Sequence, residues 1–198
     1  MDLHGKHIIL ASGSPRRREL LKGLDIDFEI DTGNSFEESY SPDTPYDQVP
    51  VLMSEGKSYG FHRPLKKDEI LITSDTMVIL PPLPGKPGEI LGKPKDREDA
   101  CRMLRDLSGR SHHVTTAVTI RDTEKKETFT ATTEVWFKDL SDSEISYYVD
   151  NYKPFDKAGA YAIQEWIGHI GITRIEGSYF NVVGFPVQRV YEALRHFI

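Results

Sequence analysis

Residues 7–11, His7-Ile8-Ile9-Leu10-Ala11, form a short apolar run with two β-branched members, and Ser12-Gly13-Ser14-Pro15 breaks it at once. Such a run suits a buried strand. Ser14 is a good N-cap and Pro15 a good first helical residue, because the N–H that proline lacks would have no intrahelical partner there. Leu20, Leu21 and Leu24 then give the helix an apolar stripe. A chain that opens strand, tight turn, helix is directed toward packed α/β layers.

The pattern continues in that sense. A second strand is expected over 27–31 and a helix over 46–61, where the apolar pattern is weak. Residues 70–80 read as a buried strand interrupted by the polar cluster Thr73-Ser74-Asp75-Thr76. The Pro/Gly-rich stretch 81–88 is a stiff surface excursion and not a linker, since core-like sequence resumes directly after it. Asp96 can cap a helix in which Ala100, Met103, Leu104 and Leu107 recur at helical spacing, ended by Ser108-Gly109. Two β-rich runs, 112–120 and 127–137, flank a charged turn and predict a hairpin, with Phe129, Ala131, Thr133, Val135 and Phe137 on one face of the second. Ser141-x-x-Glu144 is a capping box for a helix burying Ile145, Tyr148 and Val149. Strand-like pieces follow at 160–163 and 170–175. The last helix starts at Pro186 and is expected to bury Val187, Val190, Tyr191, Leu194 and Phe197. With no internal repeat and no low-complexity tract, one mixed α/β domain over residues 1–198 is the simplest reading.

Composition excludes several classes. Hydrophobic residues make up 38% of the 198, enough for a core, so wholesale disorder is out. The net charge of −6 has the wrong sign for a general binder of nucleic acid or anionic membrane. One cysteine, Cys101, permits neither an internal disulfide framework nor a Cys-rich zinc site. No apolar run is long enough to span a bilayer, and the first residues lack the long apolar stretch of a signal peptide. The expectation is a soluble, cytoplasmic globular protein.

Four places could carry chemistry. Ser12-Gly13-Ser14-Pro15-Arg16-Arg17-Arg18 would present free helix N–H groups, serine hydroxyls and arginines to an anion; equally, it is an ordinary capped helix with surface arginines. Arg16 and Arg17, nearest the helix start, are the better anion ligands, and Arg18 belongs to solvent or a salt bridge. Asp75 stands inside an apolar strand, where a carboxylate is costly unless paired, hydrogen-bonded or on a metal. It reads either as a strand Asp satisfied by Ser74 or Thr76, or as a metal ligand or general base. Glu37-Glu38 offers acidic company or a solvated face. The stretch 156–164, Asp-Lys-Ala-Gly-Ala-Tyr-Ala-Ile-Gln, combines charge, small residues and an amide, Gln164, that could pair with a base edge; tight strand packing is the alternative. His112 and His113 should face opposite sides of their strand, so a shared metal site is not expected.

These residues, taken in order, resemble the Maf proteins, nucleotide pyrophosphatases also called septum-formation inhibitor homologues. Leu10-Ala11-Ser12-Gly13-Ser14-Pro15-Arg16-Arg17 resembles the opening signature, Ser74-Asp75-Thr76 the aspartate-threonine strand, and Leu91-Gly92-Lys93-Pro94 the lysine-proline turn. Leu107-Ser108-Gly109, His113-Val114, the 156–164 stretch, Gly177-Ser178-Tyr179 and Gly184-Phe185-Pro186 follow in the family's order. The resemblance implies an inosine-triphosphatase-like α/β fold, a mixed sheet forming two lobes around a central cleft, as a homodimer. It also implies metal-dependent hydrolysis, with Mg²⁺ or Mn²⁺, of a nucleoside triphosphate to the monophosphate and pyrophosphate. The family's catalytic aspartate maps onto Asp75, its phosphate contacts onto Ser12, Arg16 and Arg17, and its polar lysines onto Lys57 and Lys93. Positions tied to substrate choice map onto Arg16, Thr76 and Gln164. The 156–164 stretch resembles the dTTP/UTP subgroup and not the 7-methyl-GTP subgroup. The implied metal set is Asp75 with Glu37, and Glu38 beside it.

The chain departs from the family's pattern at four places: Thr73-Ser74 replaces a small pair before the aspartate, the excursion at 81–88 is longer, Phe36 precedes Glu37, and Gly56 sits before Lys57 where better helix formers are usual. The functional expectation is pyrophosphate release from dTTP and UTP, or from modified pyrimidine nucleotides. A non-catalytic regulatory protein linked to cell division, or the same chemistry on a modified or purine nucleotide, are the alternatives.

Overall fold

The structure, a computed structural model, describes residues 2–85 and 87–198. Strands are β1 (His7–Leu10), β2 (Phe28–Ile30), β3 (Glu69–Leu80), β4 (Glu89–Leu91), β5 (Ser111–Arg121), β6 (Lys126–Phe137) and β7 (Ile172–Glu176). Helices are α1 (Pro15–Lys22), α2 (Val49–Tyr59), α3 (Arg97–Leu107), α4 (Asp142–Tyr152), α5 (Trp166–Gly171), α6 (Tyr179–Val183) and α7 (Val187–Leu194), with a 3-10 turn at Ala158–Ala160. The strands run in the order β2-β1-β3-β5-β6-β7, with β4 added on β3. β1 is parallel to β2 and β3, whereas β3 with β4 and β6 with β7 are antiparallel, so the expected mixed α/β sheet is present.

Contacts divide the chain into two compact units. The first comprises residues through Asp75, Thr116–Ala131 and Gly184–Ile198; the second comprises Thr76–Thr115 and Thr132–Val183. In the first, the period-2 alternation of β3 sorts its residues cleanly. Ile70 and Ile72 join Ile8 and Leu10 of β1 under Leu21 of α1 and Val190 and Leu194 of α7. Leu71 and Ile9 point to the other side, with Phe61. Thr73 and Asp75 lie on the Leu71 side of β3 by the same alternation. In the second unit, Met103, Leu104 and Leu107 of α3 pack with Ile145, Tyr148 and Val149 of α4 and with Val135 and Phe137 of β6.

Two sequence expectations are corrected. Residues 160–163 are not a strand: Gly159 and Ala160 have φ of 67° and 58°, left-handed values that a β ladder does not admit. A Cβ on Gly159 would also sit 3.0 Å from Val78, so the turn is pressed onto β3 where only glycine fits. In α7, Tyr191 is exposed and Ala193 is the buried residue, because the helix turns its i, i+3, i+6, i+7 positions (Val187, Val190, Ala193, Leu194) to the core. The excursion 81–88 includes Lys86, which lies outside the described residues. The other expected elements match within a few residues, including the Ser14 and Asp96 N-caps and the complete Ser141/Glu144 capping box, while β4, α5 and α6 were not expected.

The two adjacent histidines separate as expected: His112 is fully buried and His113 is not. His112 Nε2 is 2.7 Å from the Tyr161 hydroxyl, its ring stacks near Phe137, and its Nδ1 has no protein partner among the described residues. Burial, reinforced by the charges of His113 and Arg110, pulls its pKa from 6.5 to about 3. The folded protein thus holds His112 neutral while the unfolded chain takes up a proton, so His112 costs no stability above pH 6.5 and an increasing amount as pH drops from 6.5 through 3. Urea midpoints measured across this window should decline less steeply for His112→Gln than for the parent; equal slopes would contradict the assignment.

Candidate functional site

Every residue of the cluster described first belongs to the first unit. Ser12 ends the strand–turn leading into α1; its Oγ accepts from Ser14 N–H at 3.3 Å and from Arg17 Nη1 at 3.4 Å. Arg17 donates from Nη1 to the Ser74 carbonyl at 2.9 Å and from Nε to the Gly184 carbonyl at 3.0 Å. One guanidinium therefore ties the start of α1 to β3, immediately before Asp75, and to the turn before α7. Desolvation lowers the Arg17 pKa, and the nearby negative charges of Asp75 and Glu38 oppose that fall. Arg16 stands beside it, and its charge is felt at Arg17. Arg18 is exposed, as its position on the helix implied.

Asp75 is 8% exposed. Its Oδ1 accepts from Lys57 Nζ at 2.5 Å, and the same ammonium lies 2.9 Å from Glu38 Oε1. This answers the energetic problem posed by a carboxylate in an apolar strand: a charge of opposite sign reaches it from α2. Glu38, not Glu37, is the acidic-loop residue that meets Lys57; Glu37 lies exposed beside it.

Lys57 is placed by an unusual polar seam under α2. Thr73 Oγ1 donates to the Ser54 carbonyl at 2.8 Å, and the Ser54 hydroxyl pairs with Thr119 Oγ1 at 2.9 Å. Thr119 continues to Thr128 at 3.1 Å, and Thr128 donates to Glu55 Oε1 at 2.8 Å. Arg121 grips the end of the helix through the Ser58 hydroxyl and carbonyl at 2.9 and 2.8 Å. The hydroxyl of Thr73, which the sequence placed beside Asp75, is thus spent on α2. Ser74 Oγ is buried without a partner among the described residues. These serines and threonines were missed in the sequence because a hydroxyl on a helix facing a sheet leaves no periodic signature. The weak apolar pattern of 46–61 was the one available hint.

The remaining candidates belong to the second unit. Thr76 follows Asp75 on β3. Lys93 is exposed on the turn after β4, and the adjacent Gly92 carbonyl accepts from Gly159 N–H at 3.0 Å, which ties that turn to the 156–164 stretch. Within that stretch Lys157 is buried and paired with Asp156 at 2.8 Å and Glu165 at 3.3 Å. Tyr148 donates its hydroxyl to Glu165, and burial together with this bond raises the Tyr148 pKa. Gln164, beside Glu165, has its Oε1 buried and without a partner among the described residues. An orphaned amide oxygen is costly unless something outside the chain donates to it.

Among the described residues, no group of three or more His, Cys, Asp or Glu side chains is placed to hold a metal ion. The first unit instead offers a carboxylate pair, Asp75 and Glu38, that shares one cation.

The sequence model described as Maf-like protein matches residues 7–197. The chain belongs to the Maf family. Among its relatives, the dTTP/UTP pyrophosphatase of Bacteroides thetaiotaomicron is 47% identical over 194 residues, covering 98% of this chain and 97% of the relative. That of Porphyromonas gingivalis strain W83 is 46% identical over 192 residues, covering 96% and 94%. Among solved structures, the Ham1 protein of Staphylococcus aureus superposes with a TM-score of 0.51 at 16% identity, over 95% of this chain and 100% of that one, a likeness of fold. Among the described residues no helix is long and apolar enough to cross a membrane.

Proposed function

We propose that this Maf chain hydrolyses dTTP and UTP to the monophosphate and pyrophosphate, with Asp75 as its catalytic residue. The observation that carries the reading is the Asp75–Lys57–Glu38 constellation, in a family member whose 46–47% identical relatives bear the name dTTP/UTP pyrophosphatase.

In this reading, Asp75 accepts a proton from the attacking water as its oxygen bonds to the α-phosphorus. The α–β bridging oxygen departs with pyrophosphate and carries the bond's electron pair. Negative charge builds on that leaving group, and the positive charges of Lys57, Arg16 and Lys93 are the candidates to lower its cost. Arg17 holds Ser12 and the Asp75 strand in register while the N–H groups opening α1 and the Ser12 hydroxyl receive phosphate oxygens. Asp75 and Glu38 suit Mg²⁺ or Mn²⁺, since a hard cation takes one or two carboxylates and completes its shell with substrate phosphates. Such a cation would neutralise phosphate charge and polarise the reacting centre; Glu37, on the same loop, is the further candidate ligand. Base choice falls to Gln164, whose orphaned Oε1 matches the N3–H of uracil or thymine, with its amide N–H groups matching O4. Thr76 and Arg16 are the further residues proposed for substrate choice. Action in the cytoplasm as a homodimer completes the proposal.

Asp75→Asn keeps the shape and removes the charge: pyrophosphate release should fall by several orders of magnitude while the circular dichroism spectrum stays that of the parent, and near-normal turnover would refute the role. Gln164→Ala should flatten the preference among dTTP, UTP, dCTP and GTP more than it lowers turnover on the best of them. A base preference unchanged across that panel would reject the assignment.

A further inference from the structure

Phe36, in the acidic loop, and Gly56, in α2, meet in space. A Cβ built on Gly56 would lie 2.2 Å from Phe36 Cζ and 2.3 Å from Cε2; one on Gly60, a turn later, would lie 2.7 Å from Phe36 Cβ. The Phe36 ring thus rests directly on the backbone of α2, in a seat that exists only because positions 56 and 60 lack side chains. Gly56 has an ordinary helical backbone with no positive φ, so nothing in its conformation calls for glycine. Glycine is among the poorest helix formers, and its presence in mid-helix is accounted for by the ring it admits.

Around this seat the acidic loop is stitched to α2 and the segment after it. Asn34 donates from Nδ2 to the Lys57 carbonyl at 2.6 Å and accepts from Phe36 N–H at 2.8 Å. Ser35 N–H donates to the Gly60 carbonyl at 2.8 Å, and Asn34 bridges Phe61 as an antiparallel pair. Two residues past the ring, Glu38 reaches the Lys57 ammonium that also holds Asp75.

We infer that Phe36 is a positioning residue: seated on Gly56 and Gly60, it sets the reach of the acidic loop so that Glu38 closes on Lys57 and fixes that ammonium against Asp75. The inference rests on the hydrolysis proposed above. It makes Phe36 and Gly56 one compensated pair, in which the helix-weakening glycine is the socket for a loop anchor. The alternative, a hydrophobic contact that only steadies the loop, predicts different kinetics. A positioning role acts on turnover through Glu38, whereas mere support costs stability and leaves kcat alone.

The test is pyrophosphate release from dTTP, with kcat and KM separated and melting temperatures recorded, for the parent, Gly56→Ala, Phe36→Ala, Glu38→Gln and the doubles F36A/G56A and F36A/E38Q. Gly56→Ala should lower kcat about tenfold with KM changed less than threefold, and should lower the melting temperature although alanine favours the helix. In the Phe36→Ala background the same change should cost no further turnover and should raise the melting temperature, because the clash is gone. Phe36→Ala should lower kcat in the parent and not in Glu38→Gln. Full kcat in Gly56→Ala, or losses from Phe36→Ala and Glu38→Gln that multiply, would overturn the inference. A parent chain that releases no pyrophosphate would overturn the proposed function instead; the inferred turnover role would fall with it, and the opposite signs of the two melting shifts would still report whether the ring sits on Gly56.

Discussion

A single ammonium group, Lys57 Nζ, stands between two carboxylates drawn from different parts of the first unit, and much of that unit serves to keep it there. Asp75 reaches it from an otherwise apolar strand, and Glu38 from the loop after β2. Losing one partner of a buried ion pair typically costs about 3–5 kcal/mol, because the survivor is left charged and poorly solvated. The strand can therefore carry its aspartate only if α2 is held at the right distance. That requirement gives the hydroxyl seam from Thr73 through Ser54, Thr119 and Thr128 a purpose beyond satisfying buried polar atoms: hydrogen bonds have a preferred length and direction, whereas an apolar interface could slide.

The same logic explains why Arg17 is turned inward. A guanidinium has five donors in a rigid fork, and here two of its nitrogens grip the carbonyls of Ser74 and Gly184. The arginine joins the start of α1 to the strand that bears Asp75, so the two are referred to one framework within the first unit.

Much of this is legible in the sequence. Ser14 and Pro15 announce α1 through chemistry that only a helix start rewards, and the Ser141/Glu144 box does the same for α4. Asp75 was conspicuous because a charge inside Ile70-Leu71-Ile72 and Met77-Val78-Ile79 demands a partner. The partner itself was not legible: Lys57 lies 18 residues away, and only the folded chain says which cation comes near. Nor was the choice of Glu38 over Glu37 for that contact, which two adjacent glutamates in a loop leave open until the chain is folded. Residues 160–163 were misread because alternating small and apolar residues look like a strand, while the left-handed turn at Gly159 and Ala160 is set by its packing on Val78. Tyr191 was misplaced because periodicity alone does not separate Tyr191 from Ala193 on a short helix whose neighbours decide the buried face.

If Asp75 and Lys57 act as one unit, their removal cannot cost twice. The direct measurement is kcat/KM for pyrophosphate release from dTTP by Lys57→Met, Asp75→Asn and the double variant. Each single substitution is expected to remove most of the activity, and the double is expected to be no slower than the worse of the two. Losses that multiply in the double would mean that the lysine and the aspartate contribute independently, and the account built on their pairing would fail.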